Sequence, residues 1–158
     1  MRSVKKYYTG FCDSDQSKMA IVRDAGCGRT PLAKAQIERK INEITNGMIY
    51  VNSLSLDDQI PSICCLYTTM NPRILTAVDR VCTAAGITDS NDHFFRRMFP
   101  AVFADVSDLI CGDRYSNVAG CEANFGQSQG LNAALDAENL SFNHTFLIPL
   151  LNFVKRLD

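Results

Sequence analysis

Two cysteines stand side by side, Cys64-Cys65, in a stretch patterned as a helix, and five more are spread along the chain at Cys12, Cys27, Cys82, Cys111 and Cys121. An α-helix turns about 100° per residue, so neighbouring side chains on it diverge and do not readily bond each other. They can instead bond two different partners, which makes one helix a hub tied to two neighbours. Most of the other cysteines fall at predicted helix ends, where such ties pin helices together. Each bridge would add about 2–4 kcal/mol by restricting the unfolded chain. The pairing itself is not deducible from spacing.

Seven cysteines have two readings. In an oxidising compartment they form up to three disulfides and leave one thiol over; in a reducing one they are buried thiols or metal ligands. No Cys-x-x-Cys pair is present and neither histidine, His93 nor His144, lies near a cysteine cluster, so no metal site is expected. The first reading leads to a secreted protein. Asn139-Leu140-Ser141 and Asn143-His144-Thr145 agree with it as candidate N-glycosylation sites. Met1 to Lys6 has no apolar stretch behind it and is not a signal peptide, which fits a mature form with an added start methionine. No apolar run reaches the ~20 residues that span a bilayer, and Pro149 and Asn152 interrupt the greasy segment from Phe146 to Val154. The ending Lys155-Arg156-Leu157-Asp158 fits neither a lipid-anchor signal nor an ER-retention tetrapeptide. A net charge of −1 gives no basic footprint for nucleic acid. At 158 residues and 46% hydrophobic content the chain can bury a core as one domain, residues 1–158.

The punctuation is helical nearly throughout. Asp13 or Ser14 caps a first helix that stops at Gly26 or Gly28. Thr30-Pro31 opens a second, with Ile37, Ile41, Ile44 and Met48 as its buried stripe and Gly47 near its end. Ser53 to Asp58 is a turn; a helix carrying the doublet begins near Ile60-Pro61, and Asn71-Pro72 starts another that Gly86 ends. From Asp89-Ser90 a long helix, apolar on more than one face, runs to Ile110, kinked or broken at Pro100 and capped near Gly112. Tyr115 to Phe125 is a short helix or a loop, Gly126 to Gly130 is linker-like, and a last helical segment spans roughly Ser141 to Leu157. The fold class is all-α: a disulfide-stabilised bundle of five to seven helices.

Two families place a cysteine doublet in a secreted helical fold, and neither fits in detail. Secreted phospholipases A2 follow it two residues on with a catalytic His-Asp; here Leu66-Tyr67-Thr68-Thr69 follows. Plant lipid-transfer proteins add a Cys-x-Cys and use eight cysteines; this chain has no such motif and seven. The stretch Ile63-Cys64-Cys65-Leu66-Tyr67, then Val78-Asp79-Arg80-Val81-Cys82, then Val106 to Gly112 with Cys111, then Cys121, resembles small secreted cysteine-rich helical proteins of arthropods, of which haemolymph glycoproteins are the named example. The resemblance covers about residues 60–125. It implies secretion, helices and disulfides, and no catalysis to carry across.

No catalytic constellation is present to defend. His93 beside Asp89 and Asp92 lacks a nucleophile or metal and reads as a capping or surface histidine; His144 sits inside a sequon. Asp57-Asp58 has no calcium loop around it and reads as helix-start acids. Gly26-Cys27-Gly28-Arg29-Thr30 lacks the ending of a phosphate loop and reads as a helix stop followed by a helix start. Arg96-Arg97 among phenylalanines is a solvent-facing pair or a partner patch. Phe95, Phe99, Phe103, Phe146 and Leu150 either pack a core or line a cavity for an apolar ligand. The odd cysteine is a buried thiol or the link of a disulfide-bonded homodimer. The expectation is a secreted, non-catalytic interaction or structural protein, acting through its surface or by self-association, with no cofactor. The alternative is an extracellular carrier of a lipid or other hydrophobic small molecule; an enzyme stands third.

Overall fold

A computed structural model describes residues 14–87 and 110–137, together with Asn152. Helices and turns account for these residues, and no strand occurs among them. The elements in chain order are α1 (Asp15–Gly26), a 3-10 turn (Cys27–Arg29), α2 (Pro31–Ser53), α3 (Leu56–Ala84), a second 3-10 turn (Asp113–Tyr115), α4 (Val118–Asn124) and α5 (Ser128–Asp136). The chain divides into two compact units, Met1–Ile37 with Asn71–Leu109 and Glu38–Met70 with Ile110–Asp158, so α2 and α3 each contribute to both.

In the first unit, α1 begins where the Ser14 carbonyl accepts from the Lys18 amide at 3.1 Å, and it stops at Gly26 as its glycines indicate. The Cys27–Arg29 turn leads into α2, whose start is the one written in Thr30-Pro31. Thr30 Oγ1 accepts from the Ala33 amide at 3.1 Å, satisfying an amide the helix leaves open, and proline follows at the position that needs no donor. The end of α3 is equally explicit. Gly86 adopts φ +78°, its amide donates to Thr83 O at 3.0 Å, and the Ile87 amide donates to Cys82 O at 2.9 Å. These two bonds form a Schellman cap, which needs a left-handed residue that glycine supplies without strain. The cap folds Ile87 back onto a small core of Cys27, Ala33, Val81 and Cys82, with Val78 beside it.

Several expectations about α2 and α3 are corrected. Gly47 does not end α2, which runs on to Ser53. It is instead a contact glycine: a Cβ there would collide with Leu66 Cδ1 and come within 2.9 Å of Leu135 Cδ2. The stripe Ile37-Ile41-Ile44-Met48 is not the buried face either. Ile37 and Ile41 are exposed, at 53% and 40%, and Met48 alone of the four is fully buried. The interior side of α2 carries Thr45, Asn46 and Val51 instead. Thr45 Oγ1 donates to Ile41 O of its own helix at 2.7 Å, and Asn46 Nδ2 donates to Ala137 O at 3.0 Å, which lets polar side chains lie inside.

The doublet helix is one continuous element of 29 residues, not two helices starting at Ile60-Pro61 and Asn71-Pro72. It starts earlier, after a two-residue link. Ser55 Oγ donates to Asp58 Oδ2 at 2.8 Å, and Asp57 and Asp58 lie in the first turn, where carboxylates favour the positive helix end. Each proline removes a single N–H, and the i→i−4 bonds on either side carry the helix through. Ser62 Oγ donates to the carbonyls of Asp58 and Gln59 around Pro61, and Thr76 Oγ1 donates to Pro72 O at 2.9 Å.

In the second unit, Gly126 to Gly130 is not a linker. Helix α5 begins at Ser128, and Gly130 faces the Tyr50 ring of α2 so closely that a Cβ would overlap the phenol hydroxyl. Tyr50 Oη donates at 3.3 Å to Gln127 Oε1. Val51, Leu66, Phe125, Leu131 and Leu135 form the buried apolar interior here.

Candidate functional site

The site begins with the doublet. Cys64 is bonded to Cys111 and Cys65 to Cys121, and a third bridge joins Cys27 to Cys82 in the first unit. Two bridges therefore leave α3 from consecutive residues and land ten positions apart on one segment. The two cysteines bond different partners, as the 100° divergence of neighbouring side chains calls for, but those partners lie on one segment and not on two neighbouring helices. The bridges close sequence separations of 55, 47 and 56 residues. Chain-entropy reasoning puts each closure at about 4 kcal/mol, with overlapping loops contributing less than the sum.

Between the two landing points the chain is folded tightly. Ile110 is helical, Cys111-Gly112 turns with Gly112 at φ +57°, and the Asp113–Tyr115 turn follows. One helical turn beyond Cys64, Thr68 Oγ1 donates to Tyr115 O at 2.8 Å, a third tie between α3 and this segment. Asn117 caps α4, its Oδ1 accepting from the Gly120 amide at 2.8 Å. Asn124 Nδ2 reaches back to Gly120 O at 2.8 Å and Arg114 O at 3.4 Å. Gly120 permits this closeness, because a Cβ there would stand 2.7 Å from Arg114 O.

The inner side of the segment is Cys121 and Phe125, both buried at 3% exposure. Its outer side is Asp113, Arg114, Ser116, Asn117, Val118 and Glu122, all exposed. The result is a mixed-charge surface loop whose backbone is held by covalent bonds and side-chain caps. Such a loop has little chemistry of its own; it presents a fixed pattern of donors, acceptors and one apolar side chain to whatever approaches. Among the described residues no group of three or more His, Cys, Asp or Glu is placed to hold a metal ion, and no helix is long and apolar enough to cross a membrane.

Of the residues singled out from the sequence, Cys27, Cys64, Cys65, Cys82, Cys111 and Cys121 are brought together in three pairs. Cys12, Asn139, Asn143, Phe95, Phe99, Phe103, Phe146, Leu150 and both histidines lie outside the described residues. The outward face of residues 113–122 was missed, since the sequence left Tyr115 to Phe125 between helix and loop. Its signal was Asn117 three residues ahead of Gly120, a cap followed by small residues between two cysteines.

The chain matches no family model, no curated protein and no solved structure.

Proposed function

We propose that this protein is an extracellular interaction or structural protein, a disulfide-stapled helical domain that works through its surface by engaging a protein partner or a second copy of itself. The observation that carries the reading is the segment between Cys111 and Cys121, anchored twice to adjacent residues of α3 while its polar face points outward. Ordering a loop before binding lowers the entropy cost of association, which is what a recognition surface gains from such anchoring. Intrachain disulfides persist in oxidising compartments, which supports secretion. The likeness proposed for residues 60–125, to small secreted cysteine-rich helical proteins of arthropods with haemolymph glycoproteins as the named example, implies secretion as well. In the same reading all 158 residues form one bundle of five to seven helices, glycans sit on Asn139 and Asn143, and catalysis is absent. The three bridges use six of the seven cysteines, which leaves Cys12 as the candidate for an interchain bridge in a homodimer, the alternative being a buried thiol.

The competing reading is a carrier whose Phe95, Phe99, Phe103, Phe146 and Leu150 surround an apolar ligand. Native mass spectrometry on protein made in a secretory host, set against its denatured but unreduced mass, separates the two. The proposal expects the polypeptide with its glycans, as monomer or dimer, with no further mass. A small-molecule adduct present natively and lost on denaturation overturns it in favour of the carrier.

A further inference from the structure

The three disulfides are not equally protected. Cys27 and Cys82 are 3% and 0% exposed, enclosed by Ala33, Val81, Val78 and Ile87. Cys65 and Cys121 are 1% and 3% exposed, and the Tyr115 carbonyl oxygen lies 3.9 Å from Cys121 Sγ, where its lone pairs repel an incoming thiolate. Cys111 differs from the other five. It is only half-buried, in a turn between exposed Ile110 and exposed Gly112, although its partner Cys64 is buried. Thiol–disulfide exchange requires a thiolate to reach one sulfur of the bond, and burial in apolar surroundings disfavours the charged attacker.

We propose that Cys64–Cys111 is a redox-responsive latch, opened by an external dithiol at Cys111 while the other two bridges stay closed. In the first step the dithiol's thiolate attacks Cys111 Sγ; the Cys64–Cys111 bond breaks, and Cys64 leaves as a thiolate that takes a proton from water. In the second step the dithiol's remaining thiol, deprotonated, attacks its own sulfur in the mixed disulfide. Cys111 is released and protonated, and the dithiol is oxidised to its internal disulfide. Two electrons pass from the dithiol to the bridge. What opens is limited. The Cys111-Gly112 turn and the helical residue Ile110 before it lose their tie to α3, while Tyr115 stays bonded to Thr68 and Cys121 stays bonded to Cys65. The surface loop is therefore slackened at one end rather than released.

The test is graded reduction of the native protein with dithiothreitol. Any thiol present beforehand is blocked with one alkylating agent and newly opened cysteines are labelled with a second, with circular dichroism recorded alongside. The expected result is a species carrying two new labels, on Cys64 and Cys111, that keeps its full helical signal. First labels on Cys65 and Cys121, or on Cys27 and Cys82, overturn the proposal. So does the appearance of all six together with loss of helical signal, which means that reduction follows global unfolding.

Discussion

At the scale of single residues, one atom decides the packing at several positions. Gly47 and Gly130 both sit inside helices, where alanine is ordinarily preferred by about 0.5–1 kcal/mol. At Gly47 the added methyl meets Leu66 and Leu135, which are 4% and 1% exposed and have nowhere to move. Overpacking of about 1–3 kcal/mol then outweighs the helical gain, so Gly47→Ala lowers the unfolding free energy, read from chemical denaturation, by about 1–2 kcal/mol. At Gly130 the obstacle is the hydroxyl end of half-buried Tyr50, whose bonds to Gln127 are long at 3.3 and 3.4 Å. That ring can swing outward, and Gly130→Ala is expected to be within about 0.5 kcal/mol of the parent. Equal losses at both positions would show that the tip of Tyr50 is as confined as the two leucines. Thr68→Val removes the bond to Tyr115 O without changing the side chain's shape, and denaturation should register a loss of about 1 kcal/mol.

At the scale of elements, the boundaries divide into those that local chemistry sets and those that it does not. Thr30-Pro31 and Gly86 were legible because a cap works through atoms within a few residues of itself. Gly86→Ala places a Cβ at φ +78° and is expected to cost about 1–2 kcal/mol, measured by thermal or urea unfolding; a neutral result would mean the Schellman cap is not holding the end of α3. Pro61 and Pro72 misled for a related reason. Asn71-Pro72 has the chemistry of a helix start, yet the preceding residues already form a helix whose packing and bridges hold it, and one missing amide does not stop it. Because Pro72 is exposed and interior to α3, Pro72→Ala restores a backbone bond without touching a buried contact. It should raise stability, by at most the ~3 kcal/mol that separates the two residues in helix interiors. A fall in stability would identify a kink at Pro72 that the fold requires. The buried face of α2 was illegible for a third reason. Thr45 and Asn46 count as polar in any periodicity, and their interior placement depends on acceptors at Ile41 and Ala137, the second of them 91 residues away in sequence. The Gly126–Gly130 stretch likewise reads as a linker until Tyr50 supplies the reason for a glycine within α5.

At the scale of the whole molecule, cysteine chemistry, more than the reach of any single core, organises the chain. That the doublet bonds two different partners was legible from helix geometry alone; that both partners lie on one segment was not. The choice of Cys111 for Cys64 and Cys121 for Cys65 was not, since it depends on where the segment after Cys111 lies once Thr68, Asn117 and Asn124 have folded it. The outward face of that segment, on which the proposed function rests, was legible only in the Asn117 cap; which of its residues point outward was not, for the same reason. The fold therefore stands on its disulfide connectivity, which a disulfide map of the unreduced protein secreted from an oxidising host measures. No protease separates Cys64 from Cys65, so the cluster is resolved by partial reduction with cyanylation and by fragmentation of the linked peptides. The expected map is Cys27–Cys82, Cys64–Cys111 and Cys65–Cys121. Crossed bridges, Cys64–Cys121 with Cys65–Cys111, or free thiols at the doublet in the secreted protein would contradict it.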